Sequence, residues 1–267
     1  MRHQEYWLAG AVESAFQAGK VIRKYYQKPL KIREKRGLGL VTQADVEAEL
    51  RALKVLKQCE PGFAFLSEET HSQGVRSEDQ EGLWIVDPLD GTTNFVHGFP
   101  MFCVNVALYF RGKIEVAVTY HPILEDLYTA IRGKGALLNG KKIHVSKTRK
   151  MKDALLSTGF AYSARDSLST EMSSFERVSR ASRAVRRPGS AALDLAYTAS
   201  GVFDGFWERH LAPWDVAAGA LLVSEAGGRV TGFEGRKFDL LGSGPQGAEI
   251  LATNGPLHRV VSRELSI

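Results

Sequence analysis

Five short apolar runs with short connections, all between residues 63 and 131, most limit what this chain can fold into. Each run has the length and composition typical of a β-strand. The runs are FAFL (63–66), LWIV (83–86), CVNVALYF (103–110), IEVAVTY (114–120) and DLYTAI (126–131). Arg111-Gly112 separates two of them and indicates a hairpin turn. The middle of the chain is therefore predicted to form a mostly antiparallel sheet.

Two amphipathic helices are predicted before this sheet. Residues 5–27 show helical periodicity, and residues 28–40 are predicted to form a loop. Thr42 and Asp45 have the spacing of a capped helix start. The apolar stripe of the second helix is predicted to contain Val46, Leu50, Leu53 and Leu56. After residue 150, strand and helix patterns alternate, with strands predicted at 154–158 and 202–207 and helices at 168–182, 190–200 and 214–226.

Length and composition limit the class of protein. A chain of 267 residues with 44% hydrophobic content can bury a large core, and we expect one domain, 1–267, with lobes at 1–145 and 146–267. The sequence contains no apolar run long enough for a membrane span and no signal-peptide pattern, which favours a cytoplasmic location. The net charge of +5 favours anionic partners, such as phosphorylated metabolites or nucleic acid.

The segment WIVDPLDGTTNF, residues 84–95, places two carboxylates at the end of an apolar strand. Pro88 lacks an N–H group and is expected to end the strand, so that Asp87 and Asp90 point into one cleft. Mg²⁺ prefers carboxylate and carbonyl oxygens and is the partner that such a pair favours. A carboxylate that bridges two metal ions is common in phosphatases, and Asp90 is the predicted bridge.

The GTTNF half of the segment indicates an anion site. Gly91 allows close approach of a ligand to the backbone, and Thr92 and Thr93 offer hydroxyl and N–H groups at the start of a helical turn. Asp-Pro and Asp-Gly steps are also ordinary turn sequences, so this segment alone leaves a plain capped bend open.

Taken with Glu68-Glu69 and APWDVAAG (212–219), the segment resembles the inositol monophosphatase family of Mg²⁺-dependent, lithium-sensitive phosphatases. GSAALDLAY (189–197) is similar to the bacterial inositol-1-monophosphatase branch, and the resemblance covers about residues 5–260. It implies an α/β (α+β) fold, a layered αβαβα sandwich of the sugar-phosphatase type. It also implies a homodimer that hydrolyses myo-inositol 1-phosphate with two or three Mg²⁺ ions.

The resemblance assigns roles by position. It implies metal ligation by Glu68, Asp87, the Leu89 carbonyl, Asp90 and Asp215, with Glu68 and Asp90 also counted as catalytic. Asp45 and Thr92 are expected to orient the attacking water. Substrate contacts are expected from Gly91, Thr92, Gly189, Ser190, Ala191, Glu208 and Asp215. Simpler roles stay open for several of them: Asp45 and Asp215 are also typical first-turn helix acids, and Ser190 is a typical N-cap.

Two alternatives to this function stay open. Fructose 1,6-bisphosphate and a nucleotide 3′-phosphate are rival substrates, because related phosphatases share the metal scaffold. In a different class, the chain could bind RNA or the transcription machinery through the basic segment KKIHVSKTRKMK (141–152) and the arginines at 177, 180, 183, 186 and 187. These segments lack the interleaved aromatic residues of nucleic-acid motifs, which favours the enzyme.

Overall fold

The computed structural model of the protein describes residues 2–35, 39–70, 81–160, 168–241 and 248–266. The helices within these ranges are α1 (Arg2–Tyr25), α2 (Gln43–Cys59), α3 (Thr92–Val96), α4 (Leu168–Ala181), α5 (Ala191–Ala199), α6 (Pro213–Glu225) and α7 (His258–Leu265). The strands are β1 (Ile32–Lys35), β2 (Gly39–Thr42), β3 (Ala64–Ser67), β4 (Gly82–Asp90), β5 (Cys103–Phe110), β6 (Lys113–His121), β7 (Asp126–Ile131), β8 (Gly135–Leu138), β9 (Lys141–Lys142), β10 (Leu155–Thr158), β11 (Ala184–Arg186), β12 (Gly205–Leu211), β13 (Arg229–Thr231) and β14 (Ala248–Thr253).

Two large sheets organise the fold. The first has the order β3-β4-β5-β6-β7-β8-β9 and is antiparallel except for the parallel pair β3 and β4. Strands β5 and β6 form a hairpin that turns at Arg111 and Gly112, as the sequence predicted. Both turn residues have positive φ. The second sheet has the order β11-β10-β12-β14-β13 and is mixed.

Alternating side chains show how the layers stack. In β4, Trp84 and Val86 pack in a cluster with α1 and α2, whereas Leu83 and Ile85 pack on the opposite face against α5 and α6. The second sheet alternates in the same way: residues such as Phe206 join α5 and α6, and the neighbouring positions face α4 and α7. The order is therefore α1/α2, first sheet, α5/α6, second sheet, α4/α7, which confirms the predicted αβαβα sandwich.

The buried face of α2 differs from the predicted stripe. Val46 and Leu50 are 43% and 59% exposed, so their prediction as core residues is wrong. The buried residues of this helix are Ala44, Asp45, Ala48, Glu49, Ala52 and Leu56. The alanines let α2 pack against α1 and β4, and the two carboxylates face inward for the reasons given below.

Two further predictions are wrong. The predicted loop 28–40 contains strand β1 and the start of β2, which pair antiparallel. Pro88 does not end its strand, because β4 continues to Asp90 across a register shift between Asp87 and Asp90.

Other elements differ in position or were not predicted. Strand β12 begins three residues later than predicted, at Gly205–Leu211, and β8, β9 and α7 were not predicted.

The two lobes, 1–145 and 146–267, stay a prediction. The first sheet uses residues 64–142 and the second uses residues 155–253, on either side of the predicted boundary. Helices α5 and α6 of the second half nevertheless fill the layer between both sheets. Within the described parts of the chain, the helices are too short or too polar to cross a lipid bilayer.

A buried histidine fixes helix α7 to the second sheet. The ring of His258 is 2.9 Å from the hydroxyls of both Thr231 (at Nε2) and Thr253 (at Nδ1). The Thr231 hydroxyl donates its proton to the Gly232 carbonyl, so it accepts from the histidine Nε2–H. Nδ1 then accepts from Thr253, and the neutral ring satisfies both contacts.

This arrangement predicts acid destabilisation. Burial, aided by the charge of Arg229, lowers the pKa of His258 from 6.5 to about 4. Between pH 6.5 and about pH 4, the histidine is therefore protonated in the unfolded chain and neutral in the folded protein. The free energy of unfolding should consequently fall as the pH falls through this range. Urea unfolding across this range should show a shallower pH slope for His258→Gln than for the parent. The exposed control His97→Gln should keep the parent slope, and an equal slope in all three proteins would contradict the prediction.

Candidate active site

A bulge in β4 brings two carboxylates together. Asp87 pairs with Asn105 and Asp90 with Cys103, so β4 has one more residue than β5 over this stretch. Pro88 has no N–H for the sheet ladder, which explains the interruption. The N–H of Leu89 instead donates to Asp87 Oδ1 at 2.9 Å. The bulge therefore changes the directions of the Asp87 and Asp90 side chains relative to a regular strand.

The third carboxylate comes from the first turn of α6. Asp215 accepts a hydrogen bond from the N–H of Ala212 at 2.7 Å, so it caps its helix as the simpler hypothesis expected. It also joins the pair on β4: Asp87, Asp90 and Asp215 each place an oxygen within 4.8 Å of the others. Asp215 thus caps α6 and also belongs to the acidic cluster.

The cluster concentrates negative charge in a buried place. Burial raises the pKa of Asp87 well above its usual value, and the charges of Glu68, Asp90 and Asp215 raise it further. Burial also raises the pKa of Asp90, to about 6, against the opposing effect of hydrogen bonds from its neutral partners. Among the described residues, the groups that donate to Asp87 and Asp90 are neutral. A divalent cation held by these oxygens would supply the missing positive charge.

Asp45 and Thr92 form a pair beside the cluster. The Thr92 hydroxyl is 2.8 Å from Asp45 Oδ1 and 3.1 Å from the carbonyl oxygen of Leu89. The other carboxylate oxygen of Asp45 accepts from the N–H and the hydroxyl of Thr42, at 2.8 and 2.6 Å. Burial raises the pKa of Asp45, although these hydrogen bonds oppose the shift. Asp45 therefore caps α2, as the simpler hypothesis expected, and it also contacts Thr92, the residue with which it is predicted to orient the attacking water.

Gly91 stands where a side chain would not fit. Its φ is +95°, and a Cβ there would lie 2.7 Å from the carbonyl oxygen of Met101. It is the residue before the short helix α3, whose first residue is Thr92. The glycine therefore lets the chain pass close to the backbone of Met101 directly after Asp90.

The start of α5 is attached directly to Asp90. Asp90 Oδ2 accepts from the Ser190 hydroxyl at 2.6 Å and from the Ala192 N–H at 2.8 Å. Ser190 is also the N-cap of α5 and accepts from the N–H of Leu193. Gly189 and Ala191, on either side of Ser190, are consequently held close to the acidic cluster.

Glu208 approaches the same cluster from β12. Its side chain is 9% exposed, and burial is the main reason that its pKa is raised well above the usual value. The charges of Asp215 and Asp90 raise the pKa further, and the charge of Arg187 opposes them. The side chains of Asp45, Thr92, Asp87, Asp90, Asp215, Ser190 and Glu208 thus lie near one another, and Glu68, which follows β3, is close enough for its charge to raise the pKa of Asp87.

Sequence reasoning missed two residues that hold this cleft together. Asn94 Nδ2 lies 2.7, 2.9 and 3.2 Å from the carbonyl oxygens of Met101, Pro188 and Gly189, so it ties the α3 loop to the segment before α5. Glu49 is fully buried and accepts from the N–H of Glu69 at 2.8 Å. Asn94 lies within the GTTNF motif and could have been suspected, whereas Glu49 reads as an ordinary helix carboxylate.

Comparison with known proteins identifies the family. The model of the inositol monophosphatase family matches residues 3–264. The chain belongs to this family.

Relatives support the assignment. An inositol-1-monophosphatase from Caulobacter vibrioides is 41% identical over 238 residues, which cover 88% of this chain and 91% of the relative. A Pseudomonas aeruginosa protein named Nus factor SuhB is 40% identical over 229 residues, 84% of each chain. The solved inositol monophosphatase from Anabaena (Nostoc) sp. PCC 7120 superposes with a TM-score of 0.86 at 39% identity, covering 98% of this chain and 95% of that one. As a member of the inositol monophosphatase family the protein is a phosphatase, which confirms the predicted family and enzyme class.

The contact between Glu49 and Glu69 predicts an effect on metal binding. Glu49→Ala removes the acceptor that holds the backbone next to Glu68, and should weaken binding of a divalent cation about tenfold, the low end for loss of a supporting partner. Glu49→Gln keeps an acceptor oxygen and should bind nearly as tightly as the parent. Isothermal titration with Mn²⁺ measures both affinities.

Leu50→Ala is the matched control, because Leu50 is exposed on the same helix. Thermal unfolding of each variant shows whether the fold survives. Equal cation affinity in folded Glu49→Ala and in the parent would show that Glu49 has no part in the site.

Proposed function

We propose that the protein is a Mg²⁺-dependent phosphate monoester hydrolase whose substrate is myo-inositol 1-phosphate. The observation that carries this proposal is the approach of Asp87, Asp90 and Asp215 oxygens to within 4.8 Å, beside the Asp45–Thr92 pair. The name of the Caulobacter relative supports the choice of substrate.

The residues around the cluster fit Mg²⁺. Glu68, Asp87, Asp90, Asp215 and the carbonyl oxygen of Leu89 would hold two or three ions, and hard oxygen donors are the ligands that this cation prefers. The bound ions would supply a water of lowered pKa and positive charge against the phosphate oxygens. The carboxylates of the protein fix where that charge lies.

Asp45 and Thr92 would orient the attacking water. With the Leu89 carbonyl committed to a cation, the Thr92 hydroxyl donates to Asp45 Oδ1, the nearer acceptor at 2.8 Å. A hydroxyl that donates to a carboxylate presents its oxygen lone pairs to the cleft. That oxygen would accept a hydrogen bond from the water and fix its direction of approach.

The substrate would lie between the two halves of the chain. The backbone N–H groups of Gly91 and Thr92, at the start of α3 and next to Asp90, would contact the phosphate. The segment Gly189, Ser190 and Ala191 would contact the ring, and Asp215 would contact substrate as well as metal.

A carboxylate at position 208 favours a polyol over the rival substrates. Glu208 is acceptor-only when ionised, and a ring hydroxyl is the donor that satisfies it. Fructose 1,6-bisphosphate carries a second phosphate that the charge of an ionised Glu208 would repel, whereas myo-inositol 1-phosphate carries only hydroxyl groups besides its phosphate. The homodimer and inhibition by lithium stay predictions from the family resemblance, and the cytoplasmic location stays a prediction from the sequence pattern.

Asp90→Asn tests the enzyme. The amide keeps the size of the side chain but removes the charge of the predicted bridging ligand, so Mg²⁺-dependent phosphate release should fall by about 10²- to 10³-fold or more. The assay measures phosphate released from inositol 1-phosphate, fructose 1,6-bisphosphate and a nucleotide 3′-phosphate, each with and without Mg²⁺.

Asp153→Asn is the control, because Asp153 is a surface carboxylate paired with Arg183. It should leave the rate unchanged. A higher kcat/KM for either rival substrate would overturn the choice of substrate, and release that does not require Mg²⁺ would overturn the metal assignment.

A second candidate function is binding of RNA or the transcription machinery. The relative named Nus factor SuhB favours testing it. Lys147, Arg149 and Lys150 are exposed in the basic segment 141–152. Two of the five arginines in 177–187 are less available, because Arg180 pairs with Glu176 and Arg183 with Asp153.

If this surface binds RNA, replacing Lys147, Arg149 and Lys150 by alanine should weaken binding about tenfold and reduce the salt dependence, since each lost phosphate contact lowers the slope by about one. Phosphate release should not change. Fluorescence anisotropy with a labelled single-stranded RNA at several salt concentrations measures both quantities. Asp90→Asn should still bind, and parent protein that binds no RNA at low salt would exclude this function.

A further inference from the structure

Gly159 lies opposite Glu208 at the end of a parallel strand pair. In the pairing of β10 with β12, Ser157 is opposite Phe206 and Thr158 is opposite Trp207. The next pair in this register is Gly159 and Glu208. Side chains of paired residues project from the same face of a sheet, so the missing side chain at 159 leaves room beside Glu208.

The Glu208 carboxylate occupies that room. A Cβ built on Gly159 would lie 2.2 Å from Glu208 Oε2 and 2.4 Å from both Oε1 and Cδ. The 2.2 Å contact is the shortest that any added Cβ would make among the glycines of the described residues. The carboxylate therefore lies against the backbone of Gly159.

The backbone does not itself require a glycine at this position. Gly159 is not among the residues with positive φ, so alanine is compatible with its conformation. What the glycine provides is space for one carboxylate. Alanine would collide with the far end of a glutamate side chain, which can rotate away, and not with the backbone of a neighbouring strand.

We propose that Gly159 is a positioning residue that favours polyol phosphates as substrates. It leaves space for the Glu208 carboxylate to lie against β10, and from this position the carboxylate accepts a hydrogen bond from a hydroxyl of the substrate. The inference deepens the proposed function and rests on it for the identity of the substrate. The charges of Asp215 and Asp90 repel an ionised Glu208, and a side chain at position 159 would push its carboxylate out of the space beside β10. A shift of about 1 Å in such a group is enough to cost up to 10²-fold.

Steady-state kinetics of Gly159→Ala tests the proposal. For inositol 1-phosphate, KM should rise about tenfold or more with a smaller change in kcat. For p-nitrophenyl phosphate, whose leaving group carries no further hydroxyl, kcat/KM should stay within about twofold of the parent, because the carboxylate cluster and Thr92 are untouched. Gly62→Ala is the matched control, since a Cβ there meets nothing within 4 Å.

A double-mutant cycle shows that the effect passes through Glu208. Glu208→Ala should reproduce the loss on inositol 1-phosphate, and adding Gly159→Ala to it should cost nothing more. The proposal is overturned if Gly159→Ala slows both substrates equally, if it changes neither, or if its cost adds fully to that of Glu208→Ala.

Assays of the parent protein distinguish failure of the proposed substrate from failure of the positioning role of Gly159. Hydrolysis of p-nitrophenyl phosphate without hydrolysis of inositol 1-phosphate would overturn the proposed substrate. The positioning role is then decided by a crystal structure of Gly159→Ala. A displaced Glu208 carboxylate supports the role, and an unmoved one overturns it.

Discussion

The mutual repulsion of three closely spaced carboxylates, one of them fully buried, is the constraint on which the rest of this structure depends. Asp87 and Asp90 on β4 and Asp215 on α6 place oxygens within 4.8 Å of one another, and burial strengthens the repulsion between them. Such a group is stable only if protons or cations compensate the charge, or if many contacts hold it in place. The fold provides the contacts: the bulge at Pro88, the helix cap at Asp215 and the hydrogen bonds from the start of α5 to Asp90. Compensation by a cation is then what couples the architecture to phosphate chemistry.

Three side chains beside or within the acidic cluster also cap a helix, so a capping role does not exclude the predicted role in the site. Asp45 caps α2 through Thr42 with one oxygen and contacts Thr92 with the other. Ser190 caps α5 and donates to Asp90, and Asp215 accepts from the N–H of Ala212 at the start of α6. Because these three side chains are fixed by their own helix starts, they would lose little conformational entropy when a ligand binds. Preorganisation of this kind comes from ordinary helix capping, applied at positions where helix starts meet.

The sequence predicted much of this arrangement, and the failures have physical causes. Long apolar runs and the turn at Arg111-Gly112 gave the sheet correctly because strand length and turn geometry are local properties. The stripe at Val46 and Leu50 was wrong because tertiary contacts bury the other face of α2, where alanines permit close packing and carboxylates serve the cleft. Pro88 was expected to end β4, but a bulge accommodates a residue without an N–H inside a strand. Glu49 and Gly159 carry no local signal, because their roles depend on residues 20 and 49 positions away.

The two sides of the cleft are built in different ways, and this bears on how substrate selection can vary within one scaffold. The predicted phosphate side contains the β4 bulge, the Gly91 backbone and Thr92, where a Cβ at residue 91 would collide with the backbone of Met101. A change there would disturb the main chain and the predicted metal ligands together. The predicted alcohol side contains the Glu208 carboxylate, which ends a flexible side chain beside Gly159. We expect an added methyl at Gly159 to move this carboxylate without shifting the strands, so that the preference for the alcohol changes while the hydrolytic centre is retained. On the proposed roles, selectivity would depend on the second sheet, and the chemistry would depend on the first sheet together with α6.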